Sequence, residues 1–90
     1  AVSLQQWAIL LVATNPEQYK KIQDDPSLIP NAVEEVLRMS SGSSGIWRVM
    51  HRDAELGGVT LPKGAMVMMR YHAANRDPKQ FENPNEFQVD

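Results

Sequence analysis

A run of seven apolar residues from Trp7 to Ala13 places the strongest constraint on how this chain folds. The run belongs to a helix predicted over about residues 1–14 and leaves that helix without a polar face. A helix that is apolar all round lies inside a larger protein. A chain of this size buries only about 60% of its unfolded surface, too little to cover such a helix. We therefore expect a segment of a larger domain.

Composition excludes several classes of function. The 90 residues contain no cysteine, so the segment holds no disulfide, thiolate metal site or cysteine nucleophile. The net charge of −2, without a basic cluster, argues against nucleic-acid binding. The apolar run is too short to cross a bilayer, which needs about 20 residues, so we expect no membrane segment.

Two further helices are predicted after the apolar run. Asn15 can cap a helix over about residues 16–23, with Pro16 at its first position and Gln18 as a capping-box partner. Another helix is predicted over about residues 31–39. Its periodicity predicts an inner face and an opposite solvated face. The inner face comprises Ala32, Val33, Val36 and Leu37, and the solvated face Glu34, Glu35 and Arg38.

Beyond the serine- and glycine-rich loop at residues 40–45, the pattern favours short strands. Gly57-Gly58 between Leu56 and Val59 is typical of a two-residue hairpin turn. The nearly all-apolar stretch from Ala65 to Tyr71 predicts a strand buried on both faces. The predicted strands cover about residues 46–50, 55–56, 59–60 and 65–71, and a short helix about 78–80. Helices followed by strands and coil indicate an α+β fold.

Two charged positions have alternative interpretations. Glu35 and Arg38 lie one helical turn apart and can pair, and periodicity alone favours a solvated pair. Arg48 lies within an apolar strand, where it needs an anionic partner or an exit to water. The strand pattern leaves open whether Arg48 binds an anion or points into solvent from an edge strand.

The histidines and serines give weaker signals. His51 and His72 are isolated, with no second histidine at metal-ligand spacing. The serines near residue 40 lack the nucleophile elbow of a hydrolase. We predict no catalytic residue and no metal ligand within the segment.

Five stretches, in order along the chain, resemble bacterial cytochrome P450 enzymes. Asn31-Ala-Val-Glu-Glu-Val-Leu-Arg38 resembles their Glu-x-x-Arg helix, and Arg48 with Asp53-Ala-Glu-Leu-Gly-Gly58 resembles the strand and hairpin that follow. The other matching stretches are Leu61-Pro-Lys-Gly64, Ala74-Asn-Arg-Asp-Pro78 and Phe81-Glu-Asn-Pro-Asn-Glu-Phe87. The resemblance implies a fragment of the mainly-α P450 fold, from the long helix over the haem to just before the haem-binding cysteine loop.

The resemblance also implies roles for individual residues. It makes Glu35 and Arg38 a buried structural pair that braces the core near the haem, in place of a solvated pair. Arg48 matches an arginine that pairs with a haem propionate. Ser44, Gly45 and Ile46 match residues that line the substrate pocket.

Two positions differ from the family pattern. Glu86 stands where the family usually has an arginine or histidine that completes a triad with Glu35 and Arg38. Gly42 stands where the family usually has a proline, and we expect this to loosen the pocket wall.

For the full-length protein, the resemblance implies a cytoplasmic monooxygenase. The enzyme would use haem b, with its axial cysteine outside these 90 residues, and would insert one atom of O2 into an apolar small molecule. A ferredoxin or a reductase would supply electrons, and the segment alone would be inactive.

Two other functions are compatible with single features of the chain. A non-catalytic α+β binding module would use residues 42–47 as a recognition loop, and it would have to fold alone. A small hydrolase would need His51 or His72, with Asp53, within hydrogen-bond reach of a serine. Neither explains the all-apolar first helix.

Overall fold

The computed structural model describes residues 2–42 and 44–90, which form helices followed by two small antiparallel sheets and a coil. The helices are α1 (Val2–Thr14), α2 (Pro16–Asp24), α3 (Ile29–Ser40) and α4 (Tyr71–Asn75), with a 3-10 turn at Pro26–Leu28. The strands are β1 (Ile46–Val49), β2 (Ala54–Leu56), β3 (Val59–Leu61) and β4 (Met66–Met69). The predicted α+β class is confirmed.

The core lies between α1, α3 and the C-terminal coil. Its buried apolar residues are Leu11, Ala32, Val36, Met39, Phe87 and Val89, and Leu4, Trp7, Ala8, Ile22 and Leu28 pack around them. The apolar α1 therefore buries one side in the described chain, while Ile9 on its other side remains 72% exposed. Exposed apolar surface of this kind marks an interaction face.

The α3 helix begins two residues before its predicted start, and its buried stripe differs from the predicted one. The buried positions Ala32, Val36 and Met39 follow the spacing of one helical face. Val33 and Leu37, which were assigned to the inner face, are exposed. The assignment was wrong because helical period identifies an apolar stripe but not which of its flanks the C-terminal coil covers.

The first small sheet pairs β1 with β4 in antiparallel register, with Arg48 opposite Val67 and Val49 opposite Met66. The prediction that the second of these strands is buried on both faces was wrong, since Met66 is 67% exposed. A two-stranded sheet has little surface of its own to bury. Among the residues described, no further layer covers this sheet.

The second sheet is the predicted hairpin, with Leu56 paired to Val59. Gly57 and Gly58 both have positive φ, of 57° and 80°. This backbone matches a type I′ turn, which glycine adopts at little steric cost.

Residues 78–80 form turns and not the short helix that was predicted. The backbone N–H groups of Gln80 and Phe81 both donate to the carbonyl oxygen of Asp77, and the Asp77 side chain accepts from the Lys79 N–H. This is a single turn. The next residues cannot extend it, because Asn83 has a positive φ of 49° and Pro84 lacks an N–H donor.

The helical core and the strands together form an elongated body with a radius of gyration of 17.1 Å. An independent domain of this length has a radius of gyration of about 12 Å. The elongated shape and the exposed apolar residues argue against the binding-module alternative, which required a chain that folds alone.

Candidate functional site

The centre of the candidate site is an ion pair on α3. Arg38 Nε lies 2.5 Å from Glu35 Oε1, and Arg38 Nη2 lies 3.0 Å from Glu35 Oε2. The side chains are only 10% exposed for Arg38 and 13% for Glu35. Two parallel N–H···O bonds fix both planar groups. The solvated pair favoured by periodicity is therefore wrong for these side chains.

Arg38 also binds the coil through backbone oxygens. Its Nη1 donates to the carbonyl oxygens of Asn75 at 2.9 Å and Pro84 at 2.7 Å. Its Nη2 donates to the carbonyl oxygen of Glu86 at 2.9 Å. The guanidinium carbon lies 5.2 Å from the centre of the Phe81 ring, within range of a cation–π contact. One guanidinium thus joins α3, α4 and the coil.

Glu35 completes the attachment of the coil. Its Oε2 accepts a hydrogen bond of 2.8 Å from the backbone N–H of Gln88. The coil is consequently held on both sides of Phe87, by Arg38 before it and by Glu35 after it.

Glu86, the departure at the triad position, takes part through its backbone. Its carboxylate accepts a 3.3 Å hydrogen bond from the Gln88 side chain, and its carbonyl oxygen accepts from Arg38. The coil therefore meets Arg38 with carbonyl oxygens, which accept from its N–H donors.

Three residues that hold the coil were missed by the sequence analysis. Arg76 donates to the Met39 carbonyl oxygen at 3.1 Å and to Asn85 Oδ1 at 3.3 Å. Gln18 and Asn31 bind the backbone of Val89. A signal was available only for Gln18, which lies one turn before the inward-facing Ile22 and so places a polar group on the packed face of α2.

The predicted capping roles at the start of α2 were wrong. The Asn15 side chain donates backwards to the Leu11 carbonyl oxygen at 2.8 Å and does not cap α2. Gln18 accepts from Val89, so it does not complete a capping box. Both amides satisfy groups outside the first turn of their own helix.

Asp90 ends the described coil and pairs with α2. Lys21 Nζ lies 2.8 Å from Asp90 Oδ2. This hydrogen bond, then a backbone hydrogen bond and the charge of Lys21 lower the pKa of the exposed Asp90 carboxyl below its ordinary value.

Arg48 is exposed on β1, and its Nη1 donates to the Trp47 carbonyl oxygen at 3.0 Å. The exposed position agrees with one of the two alternatives that the strand pattern left open, an arginine that points into solvent from an edge strand. Within residues 2–42 and 44–90, no acidic side chain lies at ion-pair distance from it. The guanidinium N–H groups of Arg48 are therefore available to a carboxylate. A haem propionate is such a carboxylate, and Arg48 fits it as a hydrogen-bond donor.

The predicted pocket residues lie where the chain enters β1. The Ser44 carbonyl oxygen accepts from the Tyr71 N–H at 3.1 Å. A Cβ at Gly45 would overlap the Met69 carbonyl oxygen and lie 2.8 Å from Met68 Cε, so only glycine fits this close approach. Ile46 is 38% exposed. Ser43 lies outside the described residues.

The hydrolase alternative is not supported by the geometry. Across the described part of the chain, neither His51 nor His72 forms a hydrogen bond with a serine, and no group of three potential metal ligands occurs.

None of the helices described has the length and apolar character required to span a membrane.

A family model described as Cytochrome P450 matches residues 26–90 of the chain. This stretch contains the Glu35–Arg38 pair, Arg48 and the whole coil that the pair holds. The chain belongs to the cytochrome P450 family, and the family resemblance seen in the sequence is confirmed. Membership of this family implies a haem cofactor.

Curated relatives extend the match across the chain. It is 42% identical over 89 residues to 6-deoxyerythronolide B hydroxylase of Saccharopolyspora erythraea, covering 99% of this chain and 22% of that protein. It is 40% identical over 82 residues to the biotin biosynthesis cytochrome P450 of Bacillus subtilis, covering 91% of this chain and 21% of that protein. The chain therefore spans about a fifth of the length of these relatives.

Solved structures share the same arrangement of elements. P450BioI, crystallised with an acyl carrier protein carrying hexadec-9-enoic acid, matches with a TM-score of 0.93 and 40% identity over 98% of this chain and 23% of that one. Cytochrome P450-153 from Novosphingobium aromaticivorans also matches with a TM-score of 0.93 and 34% identity. The match covers 98% of this chain and 22% of that one. The described fold is therefore a fragment of the P450 fold.

Proposed function

We propose that the full-length protein is a haem-dependent monooxygenase that inserts one oxygen atom of O2 into an apolar organic substrate. The main observation in support of this proposal is the nearly buried Glu35–Arg38 pair, which forms hydrogen bonds to the coil at Pro84, Glu86 and Gln88. Two parallel charge-assisted bonds between planar groups make a rigid anchor. In this family the coil leads to the loop that ligates haem iron.

The proposed cofactor is haem b, bound through a cysteine thiolate outside these 90 residues. When bound, the cofactor supplies oxygen activation at its iron, and thiolate ligation favours cleavage of the oxygen–oxygen bond. The segment itself contributes no catalytic group and would be inactive alone.

Three parts of the segment have separate roles in this proposal. Arg48 binds a haem propionate, because its guanidinium is exposed, has no acidic partner among the described residues and matches a carboxylate. Glu35 and Arg38 hold the coil that precedes the ligating loop. Ser44, Gly45 and Ile46 line the substrate pocket at the start of β1, where the missing Cβ of Gly45 lets the backbone approach β4.

We propose a ferredoxin or a reductase as the electron donor and a cytoplasmic location, both from the likeness to bacterial relatives. The substrate is an apolar small molecule. One relative is named for hydroxylation of 6-deoxyerythronolide B, and one similar structure contains a fatty acid carried by an acyl carrier protein. Both support a largely apolar substrate and leave its identity to experiment.

The proposal is tested with the purified full-length protein by reduction under carbon monoxide. A Soret band typical of thiolate-ligated ferrous haem is the expected result. Electron supply by a reconstituted redox system should then give substrate-dependent NADPH consumption and an oxygenated product. Protein that binds no haem, or that binds it without thiolate ligation, would rule out the proposed monooxygenase activity.

A further inference from the structure

Two residues of the coil, Gln88 and Val89, are attached to two helices by side chains that bind their backbone groups. Glu35 of α3 accepts from the Gln88 N–H at 2.8 Å. Gln18 of α2 accepts from the Val89 N–H at 2.9 Å, and Asn31 of α3 donates to the Val89 carbonyl oxygen at 2.8 Å. Each contact spans more than 50 residues of sequence, so each fixes tertiary position and not local conformation.

Val89 is the most deeply buried large side chain in the described chain, at 0% exposure. Its peptide groups therefore have no access to water and need protein partners. Gln18 accepts from the Val89 N–H, and Asn31 donates to the Val89 carbonyl oxygen. A buried N–H or carbonyl group without its partner is costly, and the backbone of Val89 has few alternatives to this position.

Gln18 is a polar residue that is only 8% exposed, and it lies on the packed face of α2 together with Ile22. Burial of an amide side chain is unfavourable unless it is hydrogen-bonded. Its contact with Val89 is the only hydrogen bond of this side chain among the residues described. The burial is therefore explained by the attachment of the coil.

We propose that Gln18 and Asn31 form a clamp on the backbone of Val89, one binding its N–H and the other its carbonyl oxygen, and act as positioning residues for the haem-ligating loop that follows the coil. This inference rests on the proposed function. It is separate from the Glu35–Arg38 pair, which binds the coil at and before Gln88. The clamp sets the direction in which the chain leaves Val89, and so the position of a ligand a few residues later.

The test uses the full-length holoprotein with Gln18→Leu, which removes the acceptor at similar size, and Asn31→Leu, which removes the donor. Gln23→Leu is the matched control, because Gln23 lies exposed on the same helix. Gln18→Glu keeps an acceptor oxygen for the Val89 N–H. Its carboxylate lies one helical turn before Lys21, whose positive charge is favourable, so this variant should retain the clamp. The readouts are the Soret band of the reduced carbon monoxide complex and helix content by circular dichroism, both followed in mild denaturant.

We expect Gln18→Leu to lose thiolate ligation about tenfold faster than the wild type, because a buried N–H is left without an acceptor. Helix content should change little, and only at higher denaturant than the loss of ligation. This difference separates displacement of the haem ligand from general unfolding. Gln23→Leu and Gln18→Glu should behave like the wild type. The increase in the rate of ligation loss should be smaller for the double variant than the two single increases combined, because both residues hold the backbone of Val89.

Three results would overturn the clamp. One is a Gln18→Leu protein that matches the Gln23→Leu control. Another is coincident loss of helix content and ligation, which indicates a merely structural role. The third applies if Gln18→Leu gives no folded protein. The more exposed Asn31→Leu variant is then measured, and a rate of ligation loss equal to that of the wild type would contradict the clamp. Failure of the proposed function is distinguishable, since the wild type itself would then lack the thiolate-type Soret band.

Discussion

Arg38 Nη2 lies 2.9 Å from the backbone carbonyl oxygen of Glu86, and the Glu86 carboxylate turns instead to the Gln88 side chain. A residue whose sequence position suggests a charge reversal beside Arg38 therefore contributes a backbone acceptor. The anchor between α3 and the coil depends on the path of the coil and not on the side chain at position 86.

Substitution of Glu86 should consequently have little effect. We expect Glu86→Ala to change the free energy of unfolding by no more than about 0.5 kcal/mol, because the side chain is exposed and its carbonyl oxygen remains. Thermal unfolding and haem content of the full-length protein measure this. A large loss of haem would mean that the carboxylate itself has a role.

Glu35→Ala should abolish haem incorporation and lower the free energy of unfolding by about 3–5 kcal/mol, because Arg38 becomes an unpaired, nearly buried charge. The Gln88 N–H also loses its acceptor. The neighbouring Glu34 is exposed, so Glu34→Ala is the control and should retain haem. Normal haem content in Glu35→Ala would contradict the bracing role.

Arg48→Ala should accelerate haem loss without unfolding the protein, because Arg48 is exposed and supports no core contact. Transfer of haem to an apo-globin acceptor gives the rate, and circular dichroism monitors the fold. The nearby exposed Arg52 provides the control variant Arg52→Ala. Equal rates of haem loss in the two variants would count against a propionate contact at Arg48.

Gly45→Ala should disturb the start of β1, since the new methyl group would overlap the Met69 carbonyl oxygen. We expect a loss of about 1–3 kcal/mol in stability, as in other overpacked sites, together with a changed substrate-binding spectrum. Ser44→Ala adds no atoms and serves as the control. An unchanged melting temperature for Gly45→Ala would show that the strands separate easily at this point.

The Lys21–Asp90 pair predicts a pH effect. The pKa of Asp90 is lowered in the folded protein, first by the hydrogen bond from Lys21. The pair therefore stabilises the fold fully above the ordinary carboxyl pKa, and this contribution disappears as pH falls through the lowered pKa.

Lys21→Ala should return the Asp90 pKa upwards towards its ordinary value, as measured by NMR titration of the carboxyl carbon. Lys20→Ala should leave that pKa unchanged, because Lys20 pairs with Asp24. An Asp90 pKa that stays low in Lys21→Ala would assign the shift to the backbone hydrogen bond alone.

The sequence by itself determined the family, the order of the first three helices and the four strands, and the Gly57-Gly58 hairpin. These depend on local spacing and backbone conformation, and both are visible in residue types. Periodicity alone favoured a solvated Glu35–Arg38 pair, whereas the family resemblance implied a buried one. Only the tertiary structure decided that Arg48 is exposed and that Gln18 reaches Val89. Helical period is the same for a face covered by coil and a face covered by water. The position of Gln18 one turn before Ile22 indicates the packed face of α2, but its partner Val89 lies 71 residues away and cannot be identified from local spacing.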